Sequence, residues 1–344
     1  MHARCTLVPP YILQAIAKHA EPAVRDAAIA TLGLDKTFAV NRVLTAPLTR
    51  TATAAPARLD RLLHDAGGEE DLPGRVVRRE GEAATGDAAV DEAYDGLGAT
   101  WRLYDERFGR NSIDDAGMRL SGTVHFGQSY DNAYWDGEQM VFGDGDGEIF
   151  ERFTIAVDVI GHELTHGVTG ATADLEYRNQ AGALNESVSD VFGSLVKQYA
   201  LGQSAEQADW LIGEGLLAPG VQGVALRSMK APGTAYDDER LGGRDPQPAH
   251  LRDYMRTTSD NGGVHTNSGI PNHAFYLAAV GLGGNAWERA GAAWYDVLTG
   301  GELQRTATFP QFARLTVAAA SRLFDAEAGD AVRQAWAGVG LVVP

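Results

Sequence analysis

The stretch VIGHELTHGVTG, residues 159–170, carries two histidines four positions apart with a glutamate directly after the first. Four residues is about one α-helical turn, so His162 and His166 would stand one above the other on a single face. Two imidazoles so placed can chelate one metal ion. Glu163, pointing to their side, would stand beside an open coordination position as a general base. The same letters also suit an ordinary polar helix face. The rest of the chain must therefore supply a third ligand, groups that orient the histidines, and a groove for substrate.

The four-residue spacing recurs in GALNESVSDVFGSLVKQYALG, residues 182–202, where Glu186 and Asp190 lie among Val188, Val191, Phe192 and Leu195. Two acids on a crowded apolar helix face are costly unless something offsets them. Glu186 as third ligand, with Asp190 hydrogen-bonded to a ligand histidine, would do so, because such histidines commonly donate their second N–H to a carboxylate. A solvated acidic face is the alternative.

The 344 residues suffice for two sizeable cores, and 44% hydrophobic with 22% charged content is that of a soluble globular protein. No apolar run approaches the roughly 18 residues that span a bilayer. The N-terminal run is interrupted by Pro9-Pro10 and lacks the form of a secretory signal. Export by another route is expected, with cytoplasmic residence as the alternative. The single cysteine, Cys5, excludes an intrachain disulfide. A net charge of −17 argues against nucleic acid or an anionic membrane as partner. Residues 1–50 carry six Lys/Arg against three Asp/Glu, so a basic leader precedes a body of charge −20.

Within that leader, PYILQAIAKHA and PAVRDAAIATLGL (residues 10–20 and 22–34) read as short helices, each opened by proline, the second closing near Gly33. The Thr-, Ala- and Pro-rich stretch 45–60 reads as a linker and a cleavage region. From 72 to 150, β-type runs (RVVRRE, LSGTVHFG, QMVFGDG) alternate with the helical pattern of 89–109. Helical patterns then dominate at 155–169, 182–200, 268–282, 286–299, 309–324 and 328–337. The expected organisation is α+β in two lobes: 1–50 as leader, 51–170 as a β-rich lobe ending in the HELTH helix, and 171–344 as a helical lobe.

HELTH followed by NESVSD resembles the thermolysin-like zinc peptidases. So do DNAYWDGEQMVFGDGDG (131–147), EYRNQAGALNE (176–186), LRSM (226–229), DNGGVHTNSGIPNHAFY (260–276) and AGDAVRQAWAGVGL (328–341), in the same order. The resemblance implies a two-lobed fold with the active-site helix between the lobes, and one zinc ion held by His162, His166 and Glu186, with Glu163 as base. It implies Tyr177 and His265 as donors to the oxyanion, with Asp260 orienting His265. Asn132 and the backbone at Ala133 would pair with an extended peptide, and Arg227 would bind a substrate carbonyl. Phe150, Phe153, Val159, Ile212 and Leu226 would line the pocket just past the scissile bond, favouring a bulky hydrophobic residue there.

Departures from the family pattern carry information too. Asp158, Asp209 and Glu214 match three acids of a double-calcium site, but Lys197 and Leu211 stand at the other two positions, and Val224 replaces an aspartate in a second calcium loop. One calcium at most is expected. GDGDGE (143–148) reads as a tight turn, since Ile155 stands where an EF-hand needs an acid. VPPYILQAIAKHA resembles the short removable leader of the protealysin-like subgroup. The expected protein is a monomeric zinc endopeptidase made as a zymogen, its partners being polypeptide substrates and its own leader. The rival reading is a latent zinc- and peptide-binding protein without turnover.

Overall fold

A computed structural model describes residues 6–41 and 57–344; Cys5 and most of the 45–60 linker lie outside the described residues. After two helices, α1 (Pro10–His19) and α2 (Pro22–Asn41), the chain builds a five-stranded sheet from β1 (Arg61–Asp65), β2 (Arg75–Arg79), β3 (Leu120–Val124), β4 (Ala133–Trp135) and β5 (Gln139–Phe142). The spatial order is β2-β1-β3-β5-β4, with β1–β3 and β3–β5 parallel and the outer pairs antiparallel. This leaves β4 on an edge, as the resemblance required of 131–135. β1, by contrast, has no strong β-signal in RLLHD. It is a strand because β3 and β2 flank it on both sides.

Helix α3 (Ala88–Phe108) is opened by Asp87, whose carboxylate accepts from Ala89 and Val90 N–H, and closed by Gly109 in the left-handed region. The rest is helical: α4 (Val157–Ala171), α5 (Asn179–Leu201), α6 (Asp260–Asn267), α7 (Gly269–Leu282), α8 (Ala290–Thr299), α9 (Phe309–Leu323) and α10 (Ala326–Gly338). Trp294 and Trp336 stack with centroids 6.2 Å apart at the centre of that lobe, and Trp336 Nε1 donates to Thr316 Oγ1 at 2.9 Å. Among the described residues no helix is long and apolar enough to cross a membrane.

The boundary that differs most from expectation is in the leader. α2 runs on past Gly33, where a stop was expected. A single interior glycine costs only about 1 kcal/mol against alanine, and contacts on either side of it hold the helix to the body. Thr31 Oγ1 accepts Asp131 N–H at 3.0 Å, and Asp35 accepts from Tyr130 OH at 2.6 Å and from Asn132 Nδ2 at 3.0 Å. Tertiary contacts outweigh the local stop signal.

At the end of the β3 segment, His125 bridges Asp144 (Nδ1, 2.8 Å) and Asp87 (Nε2, 3.1 Å). Hydrogen bonding to Asp144 raises its pKa from 6.5 to about 9, against some loss from burial. A raised folded-state pKa stabilises fully below the unfolded value and is lost as pH rises through the folded one. The gap in melting temperature between the native chain and His125→Gln should therefore be widest below pH 6.5 and close as pH passes about 9. A gap independent of pH would remove the ion pairs as its cause.

Candidate active site

Helices α4 and α5 cross at two glycines. A Cβ on Gly193 would lie 2.4 Å from Asp158 O, and one on Gly161 3.0 Å from Gly193 Cα. No other residue permits that approach, which sets the HELTH face against the face of α5 that carries Glu186 and Asp190. His162, Glu163, Glu186 and Asp190 are all buried.

The histidines are oriented from behind. His162 Nδ1 donates to Asp190 Oδ1 and His166 Nδ1 to Asn185 Oδ1, each at 2.8 Å. Both Nε2 atoms then face inward with lone pairs free. They lie 3.0 Å from each other and 3.6 Å from Glu186 oxygens. Burial lowers the His166 pKa to about 4, so its ring is neutral. Glu186 falls to about 2, because the surrounding imidazoles of His265, His166 and His162 outweigh the cost of burying its charge. Three ligand atoms within 4.8 Å of one another, two imidazole nitrogens and a carboxylate oxygen, form a donor set suited to a cation. Tetrahedral zinc with bonds of about 2.0–2.2 Å spaces its donors by roughly 3.3–3.6 Å. The 3.6 Å spacings to Glu186 fall in that range and the 3.0 Å between the two imidazoles just short of it, so the residues fit that ion.

Around this cluster, Glu163 Oε2 accepts Trp135 N–H at 3.0 Å, while Oε1 is buried with no hydrogen-bond partner among the described residues. Burial, and then the nearby Glu186 charge, push its pKa well up. Tyr177 OH donates to Glu186 Oε1 at 2.5 Å and lies 3.1 Å from His265 Nε2. Asp260 grips His265 twice, at Nδ1 (2.8 Å) and at the backbone N–H (3.0 Å). That grip depends on a left-handed turn at Asn261, Gly262 and Gly263, with φ of 51, 93 and 73°. A Cβ on Gly262 would in addition meet Asn179 Oδ1 at 2.3 Å. Burial would lower the pKa of His265, but the carboxylates of Asp260 and Glu186 raise it to about 9.

The structure pairs Arg227 with Asp190, a contact the resemblance did not imply. Its guanidinium is bidentate on Asp190 (Nε–Oδ2 2.9 Å, Nη2–Oδ1 2.8 Å), and Asn272 Nδ2 donates to the same carboxylate at 2.8 Å. Its remaining Nη1 donates to Leu7 O at 3.3 Å. Asn185, Asn272 and the Trp135 amide were not singled out from the sequence. Asn185 and Ser189, whose Oγ is 3.1 Å from His166 Nδ1, share the four-residue spacing of their neighbours and were legible. Asn272 carries no local signal.

Residues 6–8 lie along β4. Leu7 N–H donates to Ala133 O at 3.1 Å and Val8 N–H to Asn132 Oδ1 at 2.9 Å. Leu7 is buried, as are Phe150, Phe153, Val159, Ile212 and Leu226. Lys197 Nζ lies 2.7 Å from Asp209, 2.9 Å from Glu214 and 3.7 Å from Asp158. Asp146 Oδ1 accepts the N–H groups of Glu148, Ile149 and Phe150, so GDGDGE is the tight turn expected.

The thermolysin metallopeptidase catalytic domain matches residues 50–170, and the α-helical domain of the same peptidases matches 173–341. The chain belongs to the thermolysin metallopeptidase family. It is 54% identical over 340 residues to an extracellular metalloprotease of Pectobacterium carotovorum subsp. carotovorum, covering 98% of this chain and 97% of that one. A thermolysin of Alicyclobacillus acidocaldarius subsp. acidocaldarius is 41% identical over 267 residues, 75% of this chain and 46% of its own. The solved precursor of protealysin, a metalloproteinase from Serratia proteamaculans, superposes with a TM-score of 0.91 at 54% identity, covering 98% of this chain and all of that one (100%). The peptidase is a metalloendopeptidase with the thermolysin-like α+β fold, and its family is zinc-dependent.

Proposed function

We propose that the peptidase is a zinc-dependent neutral endopeptidase, made as a zymogen, that hydrolyses peptide bonds on the N-terminal side of bulky hydrophobic residues. The observation carrying this reading is the convergence of His162, His166 and Glu186 beside Glu163, whose buried Oε1 has no partner among the described residues. The chemistry a zinc ion supplies there when bound is acidification of water and polarisation of the scissile carbonyl. Glu163 takes the proton of the attacking water and delivers it to the leaving amine. Tyr177 and His265 donate to the oxygen as it gains charge, and Asp260 holds the imidazole in place. Ala133 and Asn132 bind the peptide main chain as an added edge strand, and Arg227 binds a carbonyl on the leaving-group side. The burial of apolar Leu7, Phe150, Phe153, Val159, Ile212 and Leu226 supports a bulky apolar residue after the cut bond. The rival, a peptide-binding protein without turnover, has no missing catalytic group in its favour.

Residues 1 to about 50 act as an inhibitory leader, removed by cleavage in the 45–60 linker, ahead of lobes at 51–170 and 171–344. The peptidase acts outside the cell, in keeping with the extracellular relative. To test the whole reading, the purified full-length chain is incubated with zinc and a trace of processed enzyme. Appearance of a new N-terminus in the linker, followed by casein hydrolysis, is expected. A precursor as active as the processed form would overturn the zymogen reading alone, and a processed form inert with zinc bound would overturn the peptidase reading.

Lys197 stands in for much of one cation's charge among Asp158, Asp209 and Glu214. Removing calcium from the native peptidase should therefore barely move its melting temperature, whereas Lys197→Ala should lower it and make it rise again on adding calcium. A large calcium-reversible drop in the native protein would contradict this.

A further inference from the structure

Residues 6–8 do more than fill the groove. Leu7 N–H bonds Ala133 O at 3.1 Å, Val8 N–H bonds Asn132 Oδ1 at 2.9 Å, Arg227 Nη1 bonds Leu7 O at 3.3 Å, and Thr6 O lies 3.2 Å from His265 Nε2. A carbonyl oxygen only accepts, so His265 is the donor. Together these contacts set both direction and register. One peptide bond, Thr6–Leu7, lies between the edge strand that holds its N–H and the imidazole that faces its carbonyl. That same Nε2 is 3.5 Å from Glu186 Oε2, so the Thr6 carbonyl is at the rim of the three-donor cluster. Glu163 reaches β4 two residues further on, at Trp135 N–H, and its other oxygen is buried with no partner among the described residues. Such an oxygen can accept a hydrogen bond from a water.

We propose that Thr6–Leu7 is a second processing site, which the peptidase cuts within its own molecule. The proposal rests on the peptidase reading above. A water held by Glu163 adds to the Thr6 carbonyl carbon and gives its proton to Glu163, and His265 donates to the carbonyl oxygen as charge builds there. The carbon–nitrogen bond to Leu7 then breaks, and Glu163 returns the proton to the Leu7 nitrogen. One water is consumed: its first proton reaches the Leu7 nitrogen through Glu163 and its second follows, so Thr6 ends as a carboxylate and Leu7 as an ammonium, and nothing is oxidised or reduced.

This cut does not free the leader. Leu7, Val8, Ile12, Leu13 and Ile16 stay buried on the body, and Asp35 still takes the Tyr130 and Asn132 donors. The segment from Leu7 onward remains as a bound product that blocks the leaving-group side of the groove. Trimming at Thr6–Leu7 is therefore unimolecular and separate from activation at the linker, which needs a second molecule.

The test is intact-mass analysis and N-terminal sequencing of the zinc-loaded full-length chain, followed over time at protein concentrations differing about a hundredfold. A new N-terminus at Leu7, forming with the same rate constant at every concentration, is expected. Glu163→Ala should slow it at least about a hundredfold, the usual loss with a general base, and Leu7→Asp should leave the bond intact. A readout that needs no turnover is amide hydrogen exchange at Leu7 and Val8 in the Glu163→Ala chain, expected to be slowed at least about tenfold against the same sequence as a free peptide. An intact Thr6–Leu7 bond in a chain that goes on to hydrolyse casein overturns the proposal and leaves the peptidase reading standing. A Leu7 terminus appearing equally fast in Glu163→Ala, or at a rate that scales with concentration, also overturns it, as does exchange at free-peptide rates.

Discussion

Glu163→Ala is expected to bind zinc as the native peptidase does and to lose proteolysis by about two to four orders of magnitude. The two effects separate because Glu163 is not one of the three converging donors, although it follows the first of them in sequence. Its Oε2 rests on the Trp135 amide and its Oε1 has no partner among the described residues, so truncation removes the base without disturbing His162, His166 or Glu186. The Trp135 N–H loses its acceptor, which costs about 1–3 kcal/mol of stability at most. Zinc content by elemental analysis and casein hydrolysis by the processed variant check both halves. Turnover near the native rate would sink the mechanism, and loss of zinc would sink the division between base and ligands.

Asp190→Ala should damage stability and metal affinity together. From the sequence alone the residue is a histidine orienter, and the matching expectation is a ten- to hundredfold loss of zinc affinity in a stable fold. In the structure Asp190 also neutralises Arg227 and receives Asn272, all of them buried. Against the cost of burial, the Arg227 guanidinium and the His162 hydrogen bond hold the Asp190 carboxyl well below its ordinary range. Removing it strands a buried guanidinium, a loss of about 3–5 kcal/mol. Urea unfolding with zinc chelated, compared with zinc titration of the folded variant, reads the two effects apart. Unchanged metal-free stability would show that Arg227 finds another partner.

Features that were legible without coordinates were those whose geometry is local. A helix places residues four apart on one face whatever surrounds it, so His162 with His166 and Glu186 with Asp190 could be read as two faces in need of each other. The lysine among acids at Lys197 was legible for a similar reason, since a charge change at a matched position needs no coordinates to interpret. Pro10 likewise marked the start of a leader helix, because proline sets its own φ and suits the first helical turn.

Other features depended on which distant segments meet, and no local rule contains that. Asp260 reaches His265 only through a left-handed turn whose glycine packs against Asn179. Arg227 and Asn272 reach Asp190 from 37 and 82 residues away. α2 outran its glycine stop because Thr31 and Asp35 found partners at 130–132. The register that sets Thr6–Leu7 before His265 was equally invisible in the sequence. A shift of one residue along an edge strand exchanges every hydrogen-bonding group for its neighbour, and only the packing of Leu7 and the helices behind it selects one alignment over the next.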